Sequence, residues 1–103
     1  MYPEDIQQQI KALFGQKTPA ALRMLKVSVS KYEYIGADRI IRCILYLSEG
    51  SLDGLKNAIQ MAVMDPRDVM FTAEYIGRRE NEEPERVRDF NQPFGQESNV
   101  TEE

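Results

Sequence analysis

The run Asp38-Arg39-Ile40-Ile41-Arg42-Cys43-Ile44-Leu45-Tyr46-Leu47-Ser48-Glu49 constrains this chain more than any other stretch, being the most apolar and the most strongly patterned. Wound at about 100° per residue, Ile40, Ile41, Cys43, Ile44, Leu45 and Leu47 cover roughly 200° of the helix surface. Asp38, Arg39, Arg42, Tyr46 and Glu49 share the remainder. Such a helix needs neighbours on at least two sides, so residues 38–49 are read as the central helix of an all-α bundle of about five short helices.

The flanking sequence supplies the other helices with their stop and start signals. Pro3 suits a first turn, Glu4 and Asp5 complement the positive end of the helix dipole, and Ile6, Ile10, Leu13 and Phe14 recur at helical spacing until Gly15. Thr18-Pro19 reads as a cap followed by a first helical residue. The run from Ala20 to Ile35 is ambiguous. Leu22, Leu25, Val29 and Tyr32 fit a helix, whereas Leu25, Val27 and Val29 alternate as in a strand. A helix is favoured because the alternation breaks at Tyr32 and Tyr34; a strand or hairpin over residues 25–34 is the alternative. Gly36 and Gly50 bound the central helix, and Ser51 caps the next, whose apolar stripe is Leu52, Leu55, Ile59, Ala62 and Val63. Asp65-Pro66-Arg67-Asp68 ends that helix and starts another with Val69, Met70, Ala73 and Ile76 inward, before Gly77.

Length and composition fit one helical domain over residues 1–76 and an acidic tail over 77–103. With 103 residues and 42% apolar side chains, the chain has no apolar run near the roughly 18 residues of a membrane span. Acidic residues follow Met1 where a signal peptide would be basic, and a single cysteine fits a reducing compartment, so the expected location is the cytoplasm. Residues 1–76 hold nine Lys/Arg and nine Asp/Glu, but residues 77–103 hold four and eight. A neutral body with an acidic tail argues against nucleic acid or an anionic membrane as partner. Val87, Phe90, Phe94 and Val100 are the tail's large apolar residues, too few to offset backbone ordering of roughly 1–2 kcal/mol per residue. The tail is therefore expected to be mostly disordered or loosely docked, with Phe90 and Phe94 as contacts to the body or to a partner.

Catalytic equipment is scarce. Histidine is absent, which removes Ser-His and Cys-His nucleophile pairs; Cys43 on the apolar face reads as a small buried hydrophobe. No phosphate loop, zinc spacing or calcium loop is present, so neither cofactor nor metal is expected. An enzyme would need two carboxylates, such as Glu33 and Glu74, facing each other across a pocket.

Two surface features remain. Arg39, Arg42, Tyr46 and Glu49 form a polar stripe on the central helix, the first choice for a binding site, with Asp38 and Arg42 as a possible pair at i, i+4. Met61 and Met64 lie off the apolar stripe of their own helix and suit an adaptable contact face. A body of about 76 residues buries only some 60–65% of its unfolded surface, and self-association through that face would help. The expectation is a small protein-interaction or regulatory module without catalysis, acting on a protein partner or as a homodimer. The alternative is a binder of a small anionic ligand or nucleotide at Arg39 and Arg42.

Overall fold

Pro3 stands one place outside the first helix, and Glu4 and Asp5 occupy its first turn, where the exposed N–H groups favour negative charge. The computed structural model describes residues 2–76 and 83–98; Gly77 and Val100 of the sequence reading lie outside them. Five helices follow in order: α1 (Glu4–Phe14), α2 (Thr18–Lys31), α3 (Asp38–Ser48), α4 (Leu52–Met64) and α5 (Pro66–Glu74). Tight turns at Gly15–Lys17 and Glu33–Gly36 join the first three. Tyr75–Ile76 (β1) then pairs antiparallel with Glu85–Arg86 (β2), Tyr75 opposite Arg86 and Ile76 opposite Glu85. The helical bundle is thus as expected, with this one short ladder added. Among the described residues no helix is long and apolar enough to cross a membrane.

Helix α3 is central, packed chiefly against α4 and α5 and touching α1. Its Ile41, Cys43, Ile44 and Leu45 have no solvent exposure, and Ile6 and Ile10 of α1 and Leu55 of α4 join the same core. The ambiguous run is helix to Lys31, and burial shows why the strand alternative fails. In a strand Leu25 and Val27 would share a face; here Leu25 is buried and Val27 is exposed. The phase also puts Leu22, expected inward, outside.

Two of three expected caps form. Ser51 Oγ accepts from the Gly54 N–H (2.9 Å), and Asp65 Oδ1 accepts from the Arg67 N–H (3.0 Å) with Pro66 in the first position of α5. Thr18 does not cap: the Gly15–Lys17 turn winds directly into α2, so Thr18 is already helical (φ −52°), and its buried Oγ1 has no hydrogen-bond partner. At the end of α3 the left-handed turn is shared by Glu49 (φ +53°) and Gly50 (φ +79°). Gly50 is required there twice over, because a Cβ would also sit 3.0 Å from the Leu13 carbonyl oxygen.

Gly54 gives a prediction opposite in sign to helix propensity. Replacing a helical glycine by alanine ordinarily stabilises by about 0.5–1 kcal/mol. A Cβ on Gly54, however, would run into the carbonyl oxygen of Ser48, which is backbone and has no side-chain rotamer to change. Gly54→Ala should therefore lower the urea midpoint; a raised midpoint would refute the close α3–α4 junction.

Candidate functional site

The polar stripe of α3 is covered at Arg42, while Arg39 is half-buried at the edge of a cleft with Phe71, Glu74 and Tyr75, and Tyr46 and Glu49 keep exposed surface. Arg42, only 7% exposed, donates from Nε and Nη2 to the Asp5 carboxylate (2.9 and 3.1 Å) and from Nη1 to the Phe90 carbonyl oxygen (3.1 Å). Asp38, the expected i, i+4 partner, is bypassed because Asp5 of α1 offers both carboxylate oxygens to the guanidinium fork. Arg39 forms a two-pronged pair with Glu74. Tyr46 packs its ring against Phe90 (centroids 5.4 Å) and under the Arg88 guanidinium (4.5 Å). Of the four residues expected to bind a ligand, Glu49 stays exposed at the helix end, Tyr46 is partly covered, and the two arginines are engaged by carboxylates. Arg42 is therefore not open to an anionic ligand: α1 and the C-terminal segment converge on it, and α5 supplies the Glu74 partner of Arg39.

Glu74, named in the sequence only as half of a carboxylate pair, holds the C-terminal segment instead. Its side chain has no exposure, yet it accepts from Arg39, from Arg86 Nη2 (3.2 Å) and from the Phe90 N–H (2.9 Å). The Glu74 carbonyl oxygen also accepts the N–H groups of Val87 (2.8 Å) and Arg88 (3.1 Å). One signal was available: a glutamate in the last turn opposes the helix dipole and calls for cations nearby. The pairing imagined with Glu33 is replaced by these arginine contacts, and Glu33 is exposed in its turn.

These contacts hold residues 83–98 against the helical body. Phe90 has no exposure at all, and Phe94 is half-buried beside it (ring centroids 5.7 Å) with its N–H donated to Asp5 Oδ2 (3.1 Å). Phe90 is thus a contact to the body, the first of the two alternatives expected of it, made from within the core.

The bond from Arg42 holds the Asp5 carboxyl below its ordinary range. Its folded pKa lies under the unfolded value of about 3.9, so Asp5 contributes stability above that pH and loses it as pH falls through the folded pKa. Between about pH 5 and pH 2 the unfolding midpoint should fall more steeply in the wild type than in Asp5→Asn; parallel slopes would contradict the pair. Burial pushes the Cys43 thiol up to about 12, with the Glu74 charge adding to it, so no thiolate is available at neutral pH.

An open, mainly apolar surface lies between α2 and α4. Met24, Val27, Ser28 and Lys31 on one helix, and Lys56, Ile59, Gln60 and Val63 on the other, each fall at i, i+3, i+4, i+7 and line a groove of about 590 Å3 that Met64 borders. Met64 is 85% exposed and Val27 61% exposed. Met61, expected beside Met64, is instead half-buried against the core. The Tyr34 hydroxyl donates to the Val63 carbonyl oxygen (2.6 Å) and ties the Glu33–Gly36 turn to the Met64 end of the groove. The groove is apolar within, with Lys31 of α2 and Lys56 of α4 as its charged lining; Lys26 of α2 lines a separate cleft with Leu22 and Asp38. Among the described residues no group of three His, Cys, Asp or Glu is placed to hold a metal ion.

Compared with protein-family models, with curated proteins and with solved structures, the chain matches none.

Proposed function

We propose that this protein is a non-catalytic protein-interaction module whose α2–α4 groove receives an amphipathic helix of a partner, with acidic residues along the partner's polar margin. The observation that carries this reading is the groove itself: two parallel rows of side chains leave Val27 and Met64 largely in water, flanked by Lys31 and Lys56. A helix laying side chains at i, i+3, i+4 and i+7 into such a channel buries apolar area, and a flexible methionine at the rim adapts to its shape. Carboxylates on the incoming helix would meet Lys31 and Lys56, which steers encounter and sets orientation. A symmetric dimer through the same face is disfavoured, because it would bring together two surfaces that each carry Lys31 and Lys56 with no acidic lining residue.

The test is titration of labelled amphipathic helical peptides of about 18 residues, one with glutamates and one with lysines on the polar face, followed by fluorescence anisotropy. The acidic peptide should bind, Met64→Glu or Val27→Glu should weaken it at least roughly tenfold, equivalent to about 1.4 kcal/mol, and Lys31→Glu/Lys56→Glu should transfer preference to the basic peptide. Affinity indifferent to all three changes would sink the reading. So would sedimentation showing a dimer that Met64→Glu dissociates, since the groove would then be the interface between copies.

A further inference from the structure

We infer that the cleft between α1 and α2, walled by Tyr2, Gln7, Ile10, Lys11, Thr18 and Leu22, is a binding site for a small carboxylic acid with an apolar body. It shares no lining residue with the α2–α4 groove, so either proposal can fail alone.

Two side chains that depart from the pattern of their helix meet in this cleft. Thr18 precedes a proline, as a cap would, yet its Oγ1 caps nothing, is shielded from water and has no hydrogen-bond partner. Buried hydroxyls of native proteins are nearly always paired, so an unpaired one in the wall of a cleft calls for a functional account. Leu22, one turn further along α2, falls on the apolar stripe of that helix but is 39% exposed, and it lines the same cleft. The rest of the wall is firm. Ile10 belongs to the hydrophobic core, and the Tyr2 carbonyl oxygen accepts from Gln7 Nε2 (2.6 Å), which holds Tyr2 against α1.

Size and charge narrow the ligand. The cleft encloses about 270 Å3, against the roughly 150 Å3 of an apolar cavity that admits benzene, so it has room for an apolar body somewhat larger than one aromatic ring. Lys11 stands in the last turn of α1 and Thr18 in the first turn of α2, both beside the Gly15–Lys17 turn, whereas Tyr2 and Leu22 lie further from it. Among the described residues no carboxylate lines the cleft, so Lys11 is free there to meet an anion. One oxygen of a bound carboxylate accepts from Lys11 and the other from the Thr18 hydroxyl, while the apolar body lies along Tyr2, Ile10 and Leu22. A few polar groups at one end of an otherwise apolar wall are the usual form of a small-molecule site. A protonated amine would instead face the charge of Lys11, and a neutral alcohol would leave that charge without a counterpart.

The experiment titrates the isotope-labelled full chain with octanoate, octanol and octylamine and follows the backbone amides by heteronuclear NMR. Octanoate should shift the amides of Lys11, Thr18 and Leu22 saturably and bind at least roughly fivefold more tightly than octanol, and octylamine should leave those amides in place. Thr18→Val keeps the shape of the wall and removes the hydroxyl. It should weaken octanoate at least roughly fivefold while the urea midpoint stays level or rises, because the hydroxyl it deletes is unpaired in the free protein. Lys11→Glu should erase the preference for octanoate over octanol. Octanol bound as tightly as octanoate, octanoate affinity untouched by Thr18→Val, or a lowered midpoint in that variant overturns the inference. Shifts confined to Val27, Lys31 and Met64 also overturn it, by placing the acid in the α2–α4 groove.

Discussion

Glu74→Ala is expected to lower the free energy of unfolding by about 3–5 kcal/mol, the range for removing one partner of a buried ion pair. Three donors converge on this one carboxylate, and each fares differently without it. The Phe90 N–H is buried and is left without its acceptor, a loss that by itself costs about 1–3 kcal/mol. Arg39 loses both of its bonds to Glu74, although its side chain is about a third exposed and recovers part of the loss as hydration. Arg86 keeps Asp89 (2.9 Å) and the Arg88 carbonyl oxygen (3.1 Å). A small opposing effect comes from the helix end, where removing a negative charge is favourable by about 0.3–1 kcal/mol. The net lies toward the lower end of the range, still a large share of the roughly 5–15 kcal/mol that holds a domain of this size together.

Urea unfolding followed by far-ultraviolet circular dichroism measures the loss. A second variant separates charge from shape: Glu74→Leu replaces the carboxylate with apolar volume but gives the arginines and the Phe90 N–H nothing to bond. It should cost nearly as much as alanine. A leucine variant within about 0.5 kcal/mol of wild type, the spread of an ordinary surface change, would show that apolar volume suffices at this position and that the carboxylate's bonds are dispensable.

How much of this was legible in the sequence divides by distance along the chain. The Ser51 and Asp65 caps were readable because donor and acceptor lie within three residues of one another. So was the central position of α3, since its apolar arc is wider than one neighbour can cover. Thr18 misled because its role depends on how the preceding turn winds, and a Thr-Pro pair looks the same at a cap and one residue inside. Arg42 misled for a different reason. Its polar position on α3 is local, but its partners Asp5 and Phe90 are 37 and 48 residues away in the chain, so nothing in the helix pattern distinguishes a solvated arginine from a sequestered one. An apolar count of residues 77–103 omits the backbone and arginine contacts that Glu74 supplies. Of the Met61 and Met64 face, only Met64 stands open, and the groove it borders needed the packing of α2 against α4 to be seen.

Phe90→Ala bears most directly on residues 83–98. Truncating a fully enclosed phenylalanine typically costs about 3–5 kcal/mol, and its ring contacts with Tyr46 and Phe94 place it toward the upper part of that range, since tilted aromatic pairs add about 0.5–1.5 kcal/mol beyond area. A segment that merely rested on a self-sufficient helical body would behave otherwise: its release would leave the unfolding midpoint of α1 to α5 unchanged. Burial argues against that, because Phe90 belongs to the same core cluster as Ile41 and Ile44 of α3. Removing the ring therefore opens a cavity at the central helix as well as freeing the segment. Hydrogen exchange resolves the two contributions. The N–H groups of Val87, Arg88 and Phe90, all bound to Glu74, should lose protection first, and the α3 amides should then exchange faster in proportion to the fall in global stability. An unchanged midpoint with altered exchange only in residues 83–98 would show the helices to be independent of the segment. An unchanged midpoint with unaltered exchange would mean that Phe90 does not hold the segment in place.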